Sequence, residues 1–399
     1  MAGVFWGTLG TVLAIFGFIA WFFSSQRQEF REQLATWARK QWGRIRGWKP
    51  IRVGTVKLPP APPTDYGALI RPVEFGNLVF PMRVLVGGDG ITRYRHPDGI
   101  ICVWSGRRFD LTSLPKDVQK VYPDYLEKRR AIANARGATF EQREHVRLDD
   151  YEISLRYPDD APWPLRLIVS RTDYYMIQAT NYSLDELLPG GSTLREKYAR
   201  DPGDLRNSIL ANPLAVNLSI VTVDHQVCLA IRGRKTAVTP GGYAPAVSGT
   251  GNPELDLDAE GNYSPFLTAV REASEEVLGL SNRPSIEEVT FFGLARTLKY
   301  QLPFIFGEIR LRALTAAQLK AQLPRDQWET EGIICIPLDP EAIIDFVRQV
   351  YRDMEAYQIV GSATYAALFS ILQSLRYEYP NDWNAIVAEL SEIKPRKMK

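Results

Sequence analysis

From Gly3 to Phe23 no residue carries an ionisable side chain. A helix of that length rises ~30 Å, the thickness of a bilayer's hydrocarbon layer. Trp6 and Trp21 stand near its two ends, where indole rings favour the membrane interface. A cleaved signal peptide fits less well, because no Lys or Arg precedes the run and no A-x-A-like site follows it. The stretch 3–23 is therefore expected to form a transmembrane helix.

The next stretch, 24–52, has eight basic residues (Arg27, Arg31, Arg39, Lys40, Arg44, Arg46, Lys49, Arg52) against Glu29 and Glu32. Positive charge after the span and none on a side chain before it points to a single-pass protein of the cell membrane. Its N-terminus would lie outside and its body in the cytoplasm. Phe30, Leu34, Trp37, Ile45 and Trp48 fall near one helical face. An amphipathic helix on the lipid headgroups is one reading; a solvated helix prolonging the span is the other. Membrane lipid is the expected partner of residues 3–52.

The whole chain has 399 residues, with 48 basic and 46 acidic side chains. That length suggests two or three modules, and a net charge of +2 is too small for a blanket nucleic-acid binder, so no specific nucleic acid is expected. Only three cysteines (Cys102, Cys228, Cys335) and three histidines (His96, His145, His225) occur. With no CxxC, a zinc knuckle and a disulfide framework are both excluded on spacing, and histidine-rich metal sites are disfavoured.

Lys57–Thr64, with Pro59, Pro60, Pro62 and Pro63, reads as an extended spacer. Beyond it, Leu78–Phe80, Arg83–Val86 and Ile100–Trp104 are short apolar runs between turn residues, so 53–114 is expected to be a linker and a β-rich accessory segment. Gly87–Gly90 is a turn cluster, not a phosphate loop, since no GK[ST] follows. Residues 118–136 read as a charged, exposed helix.

The most informative segment is Ser264–Leu280. Ser264 suits an N-cap and Pro265 the first helical position; Gly279 suits the stop. Phe266, Val270, Ala273 and Val277 share one face at helical spacing, and Glu272, Glu275 and Glu276 share the opposite one. Like charges one turn apart repel by a few tenths of a kcal/mol per pair. A solvated acidic face is the plain explanation. A hard divalent cation gripped between the carboxylates is the functional one, with Arg271 bracing them from the side.

The pattern Arg271-Glu272-Ala273, Glu275-Glu276 and then Gly279-Leu280 resembles the Nudix signature R-E-U-x-E-E-x-G-U. It departs by one extra residue between Glu276 and Gly279, and the family's upstream glutamate falls on Tyr263. Around it, Ala215–Val223 and Val227–Ile231 read as a hairpin, and Pro240–Gly251 as a glycine-bearing loop. Glu287–Leu294, Phe304–Leu311 and Glu331–Pro337 read as strands, and Tyr365–Leu375 as an apolar helix. Asp173–Asn181, Ala211–Val216, Thr222–Asp224 and Trp328–Ile333 are similar to the UDP-glucose pyrophosphatase type of that family.

The resemblance implies an α/β fold: a Nudix α/β/α sandwich over residues 115–375, preceded by the β-rich extension and one transmembrane helix and followed by a tail at 376–399. It implies a pyrophosphohydrolase in which Mg²⁺ or Mn²⁺ is held by Glu272, Glu275, Glu276 and a backbone carbonyl near Gly249. A nucleoside diphosphate linked to another moiety would be cleaved; for a UDP-sugar the products are UMP and sugar 1-phosphate. The general base is open between Glu276, Glu329 and Glu331, and the last two are equally surface residues. Arg232, Arg234 and Lys235 either meet diphosphate charge or form a solvated strand end. Tyr174 and Asn181 line the nucleotide pocket by resemblance, with core packing as the alternative. A nucleotide sensor that binds without turnover is the competing reading.

Overall fold

The computed structural model describes residues 72–95, 99–135, 140–153, 164–233, 242–278, 283–322, 330–357 and 362–393. In chain order these form strands β1 (Val73–Phe75), β2 (Leu78–Phe80), β3 (Met82–Gly87) and β4 (Ile100–Arg108), helix α1 (Lys116–Ala135), and strands β5 (Glu144–Ile153) and β6 (Leu165–Asp173). Helices α2 (Tyr174–Ala179) and α3 (Leu194–Tyr198) lead to strands β7 (Ala215–Val221), β8 (Gln226–Arg232), β9 (Tyr243–Pro245) and β10 (Val247–Thr250). Helix α4 (Pro265–Ala273), strands β11 (Val289–Thr297) and β12 (Pro303–Arg310), helix α5 (Ala316–Lys320) and strand β13 (Thr330–Pro337) follow. Helices α6 (Pro340–Tyr357), α7 (Ser362–Glu378) and α8 (Trp383–Leu390) complete the order.

Strand β12 shows why the main sheet is covered on both sides. Its alternate residues Phe304 and Phe306 enter one core, and Ile305 and Ile309 enter another. A strand apolar on both faces needs a cover on each. The sheet runs β13-β8-β7-β12-β11-β3, with β10 paired to β7 and β9 to β8. Strand β12 is parallel to β7, and every other pairing is antiparallel. On one face lie α4 residues Phe266, Ala269, Val270 and Ala273, with the Phe266 ring edge-on to Phe291 at 4.9 Å. On the other lie Leu368, Phe369, Leu372 and Leu375 of α7 with Ile343 and Val347 of α6. A second sheet, β4-β6-β5, adds Val146, Leu148, Leu165, Leu167 and Val169 to the α4 core. A third core joins Val118 and Tyr125 of α1 to Met176 and Ile177 of α2.

Three expectations are corrected. The single Nudix α/β/α sandwich with a β-rich extension is replaced by separate mixed sheets. Strand β3, from the supposed extension, pairs in register with β11 of the main sheet, and β4 pairs with β6. The two halves are joined by backbone hydrogen bonding that apolar runs alone do not reveal. Secondly, among the described residues no helix is long and apolar enough to cross a membrane. The segments 3–23 and 24–52, on which the transmembrane helix and the single-pass placement rested, lie outside the described residues. Thirdly, Cys228 and Cys335 form a disulfide although 107 residues separate them. They sit directly opposite one another on β8 and β13. Spacing along the chain could not show this, because strand pairing alone brings them together.

Candidate active site

Helix α4 begins as its sequence dictates. Ser264 takes the cap position in extended backbone and Pro265 the first turn, although the Ser264 side chain makes no cap hydrogen bond. Phe266, Val270, Ala273 and Val277 are all buried. The α-helix ends at Ala273, and Ser274–Leu278 continue as a π-helical turn. A π turn of this kind is one way a helix accommodates a local irregularity. The expected stop, Gly279-Leu280, lies outside the described residues.

Arg271 organises the C-terminal end of α4. Its Nη1 donates to Glu272 Oε1 at 2.8 Å and to Glu275 Oε2 at 3.2 Å. Its Nη2 donates to the Thr250 carbonyl at 3.1 Å. Its Nε and Nη2 form a two-pronged pair with Asp256 at 2.8 and 2.9 Å. Asp256 is fully buried and also accepts from the Asn252 amide and the Thr268 hydroxyl, both at 2.8 Å. Burial opposes the Arg271 charge, yet the hydrogen-bonded Asp256 and the nearby Glu272 and Glu275 raise its pKa.

Asp256 is the buried anchor of Arg271. Tyr263, which stands where the signature has its upstream glutamate, is buried with its hydroxyl 3.0 Å from Thr268 Oγ1. It packs against Gly251, where a Cβ would meet the Tyr263 hydroxyl at 2.6 Å. Sequence spacing missed Asp256 because it reaches Arg271 from a turn 15 positions upstream. The only signal was an acid set between Leu255 and Leu257.

Gly249, on β10, gives Glu272 its room: a Cβ there would lie 1.9 Å from the Glu272 carboxyl carbon. Burial pushes the Glu272 pKa up to about 7; Arg271 opposes the rise, and Glu275 and Asp256 add to it. Glu276 is buried and accepts from the Ser248 amide at 2.9 Å. Three carboxylates, those of Asp256, Glu272 and Glu275, thus share the guanidinium of Arg271.

Among the described residues no group of three His, Cys, Asp or Glu side chains is gathered so as to hold an ion. Glu272 and Glu275 turn to Arg271, and Glu276 turns to the β10 backbone. All-oxygen donors with excess negative charge suit a hard cation chemically.

The remaining expected residues scatter. Tyr174 is half-buried, with its ring 6.4 Å from His145. The His145 Nδ1 lies 2.8 Å from Thr250 Oγ1, which brings Tyr174 towards the cluster. Asn181 is fully buried; its amide donates to the Tyr300 carbonyl at 2.9 Å and its oxygen accepts from the Asn212 amide at 3.2 Å. These bonds tie it into the core. Arg232 ends β8 opposite Thr330, and its Nε is buried without a hydrogen-bond partner among the described residues. Glu331 is exposed at the start of β13. Arg234, Lys235 and Glu329 lie outside the described residues. His145 was not expected at the site, and its rarity in the sequence was the only hint.

No protein-family model matches the chain, and no curated protein does. Solved structures do match. One is the crystal structure of DR0079 from Deinococcus radiodurans, at 16% identity over 34% of this chain and 73% of that one. Its TM-score of 0.24 is too low to set a fold.

Proposed function

We propose that the chain is a divalent-cation-dependent pyrophosphohydrolase acting on a nucleoside diphosphate linked to another moiety. The observation that carries this is the Arg271 cluster: Glu272, Glu275 and Glu276 crowd one helix end with a charge that Arg271 only partly offsets. Glu272, Glu275 and Glu276 would hold Mg²⁺ or Mn²⁺, and such an ion supplies a polarised phosphoryl oxygen and an activated water. Asp256 anchors Arg271, and Arg271 Nη1 keeps Glu272 and Glu275 on one side of the helix until a cation competes for them. The similarity of Arg271–Glu276 to the Nudix signature supports the same reaction, and the UDP-sugar class is its most specific form. Arg271 already standing between two of the acids favours a second reading, a nucleotide sensor that binds without turnover.

The full chain, incubated with Mg²⁺ and UDP-glucose, is expected to release UMP. Glu275→Gln and Glu276→Gln should each lower the rate by at least the ~10–100-fold that even outer partners of a metal cost when lost. Gly249→Ala should do likewise by crowding Glu272, with the fold kept. Saturable nucleotide binding without UMP release would select the sensor; unchanged rates in all three variants would remove these carboxylates from the chemistry.

A further inference from the structure

Strand β5 meets the glycine segment beside the cluster. The Val146 amide donates to the Gly251 carbonyl at 2.9 Å, and the Leu214 amide to the Val146 carbonyl at 2.8 Å. This docking sets His145 against Thr250, whose carbonyl accepts from Arg271. Three more rings continue outwards from His145. Tyr174 lies 6.4 Å from it, Phe140 stands edge-on to Tyr174 at 5.6 Å, and Tyr175 stacks on Phe140 at 5.4 Å with planes 18° apart. The Arg130 guanidinium lies 5.5 Å from the Phe140 centroid. All four rings are only part-buried, and the Tyr174 and Tyr175 hydroxyls make no hydrogen bond among the described residues.

A closed core has no need to leave four rings half-open in one corner, two of them with idle hydroxyls. Flat faces flanked by a guanidinium suit a flat, electron-poor heterocycle; a sugar would want a dense set of hydrogen-bonding groups instead. We propose that Phe140, His145, Tyr174 and Tyr175 form a nucleobase subsite, held beside the Arg271–Glu276 cluster by the His145–Thr250 hydrogen bond. The inference rests on the proposed hydrolase reading for the phosphate end of the ligand, but separate residues carry it. It gives the β4-β6-β5 sheet a role in substrate selection.

The test uses three probes on the full chain: UMP, AMP and ribose 5-phosphate, the last lacking only a base. Titration calorimetry should show at least one nucleotide binding about tenfold or more tightly than ribose 5-phosphate, given what one aromatic stack contributes. Tyr174→Leu and Phe140→Leu should abolish that difference, and Tyr174→Phe should keep it. Circular dichroism of the Leu variants should match the wild type. Three results would overturn the proposal: equal binding of all three probes, nucleotide preference surviving both Leu variants, or no binding of any probe. Loss of ribose 5-phosphate affinity along with that of the nucleotides would mark a sugar site and overturn it too. UMP release from UDP-glucose reports on the carboxylates separately. Turnover with lost base preference sinks only the subsite, and base preference without turnover sinks only the hydrolase.

Discussion

Asp256→Ala should be the most damaging single change near helix α4. Asp256 is fully buried and its carboxylate accepts two hydrogen bonds from Arg271, one from the Thr268 hydroxyl and one from the Asn252 amide. Removing one member of a buried ion pair costs ~3–5 kcal/mol, because the other is left uncompensated. Arg271 keeps Glu272, Glu275 and the Thr250 carbonyl, and its side chain is 17% exposed. The ion-pair part should therefore fall near ~3 kcal/mol. The stranded Asn252 amide adds ~1 kcal/mol, for about 4 in total. Urea unfolding measures this as a shift in midpoint at constant slope. Asp256→Asn, which keeps the shape and loses the charge, should cost about half as much. A double-mutant cycle with Arg271→Met isolates the pair, and its coupling should approach ~3 kcal/mol, the top of the range for contacting residues. A loss below ~1 kcal/mol for Asp256→Ala, or coupling near zero, would show that Asp256 fills space and anchors nothing.

Two further outcomes follow from the same geometry. Burial lowers the His145 pKa from 6.5 to about 4, with Asp173 opposing and Arg143 and Arg271 assisting. Its folded pKa is thus depressed, so its contribution to stability is full above pH 6.5 and is lost as pH falls through that window towards about 4. Urea midpoints of the wild type and His145→Gln should converge on acidification, and a gap independent of pH would contradict this. Reducing the Cys228–Cys335 bond opens a loop whose ends lie 107 residues apart and should cost ~2–4 kcal/mol. Cys335→Ser should match the reduced wild type and be insensitive to reductant; a wild-type midpoint unmoved by reductant would argue against the cross-link.

Much of the local structure was legible. The hairpin around Asp224–Gln226, helix α4 with its apolar face, and strands β11 to β13 lie close to where periodicity puts them. Those features depend on neighbours within a few residues. Three others depend on pairing across the chain. Strand β3 joins β11, Cys228 meets Cys335, and Asp256 reaches Arg271; no spacing rule reports any of these. The glutamates were found by their helical period, but their orientation was not, because a neighbouring guanidinium and a strand amide decide where each carboxylate points. For Asn181, left between pocket and core, the contacts were equally out of reach of the sequence: both ends of its amide are taken by backbone groups far along the chain.

The pairing of β3 with β11 also bears on how this protein should be cut for experiment. Composition invites a fragment starting near residue 115, which would discard Met82–Gly87 and bare the amides and carbonyls of Gly293–Thr297 that now face it. It would also remove Phe75 and Phe80 from their contacts with Phe369. An opened sheet border is a template for joining another molecule. Such a fragment should clump in solution, and a tractable one begins ahead of Val73.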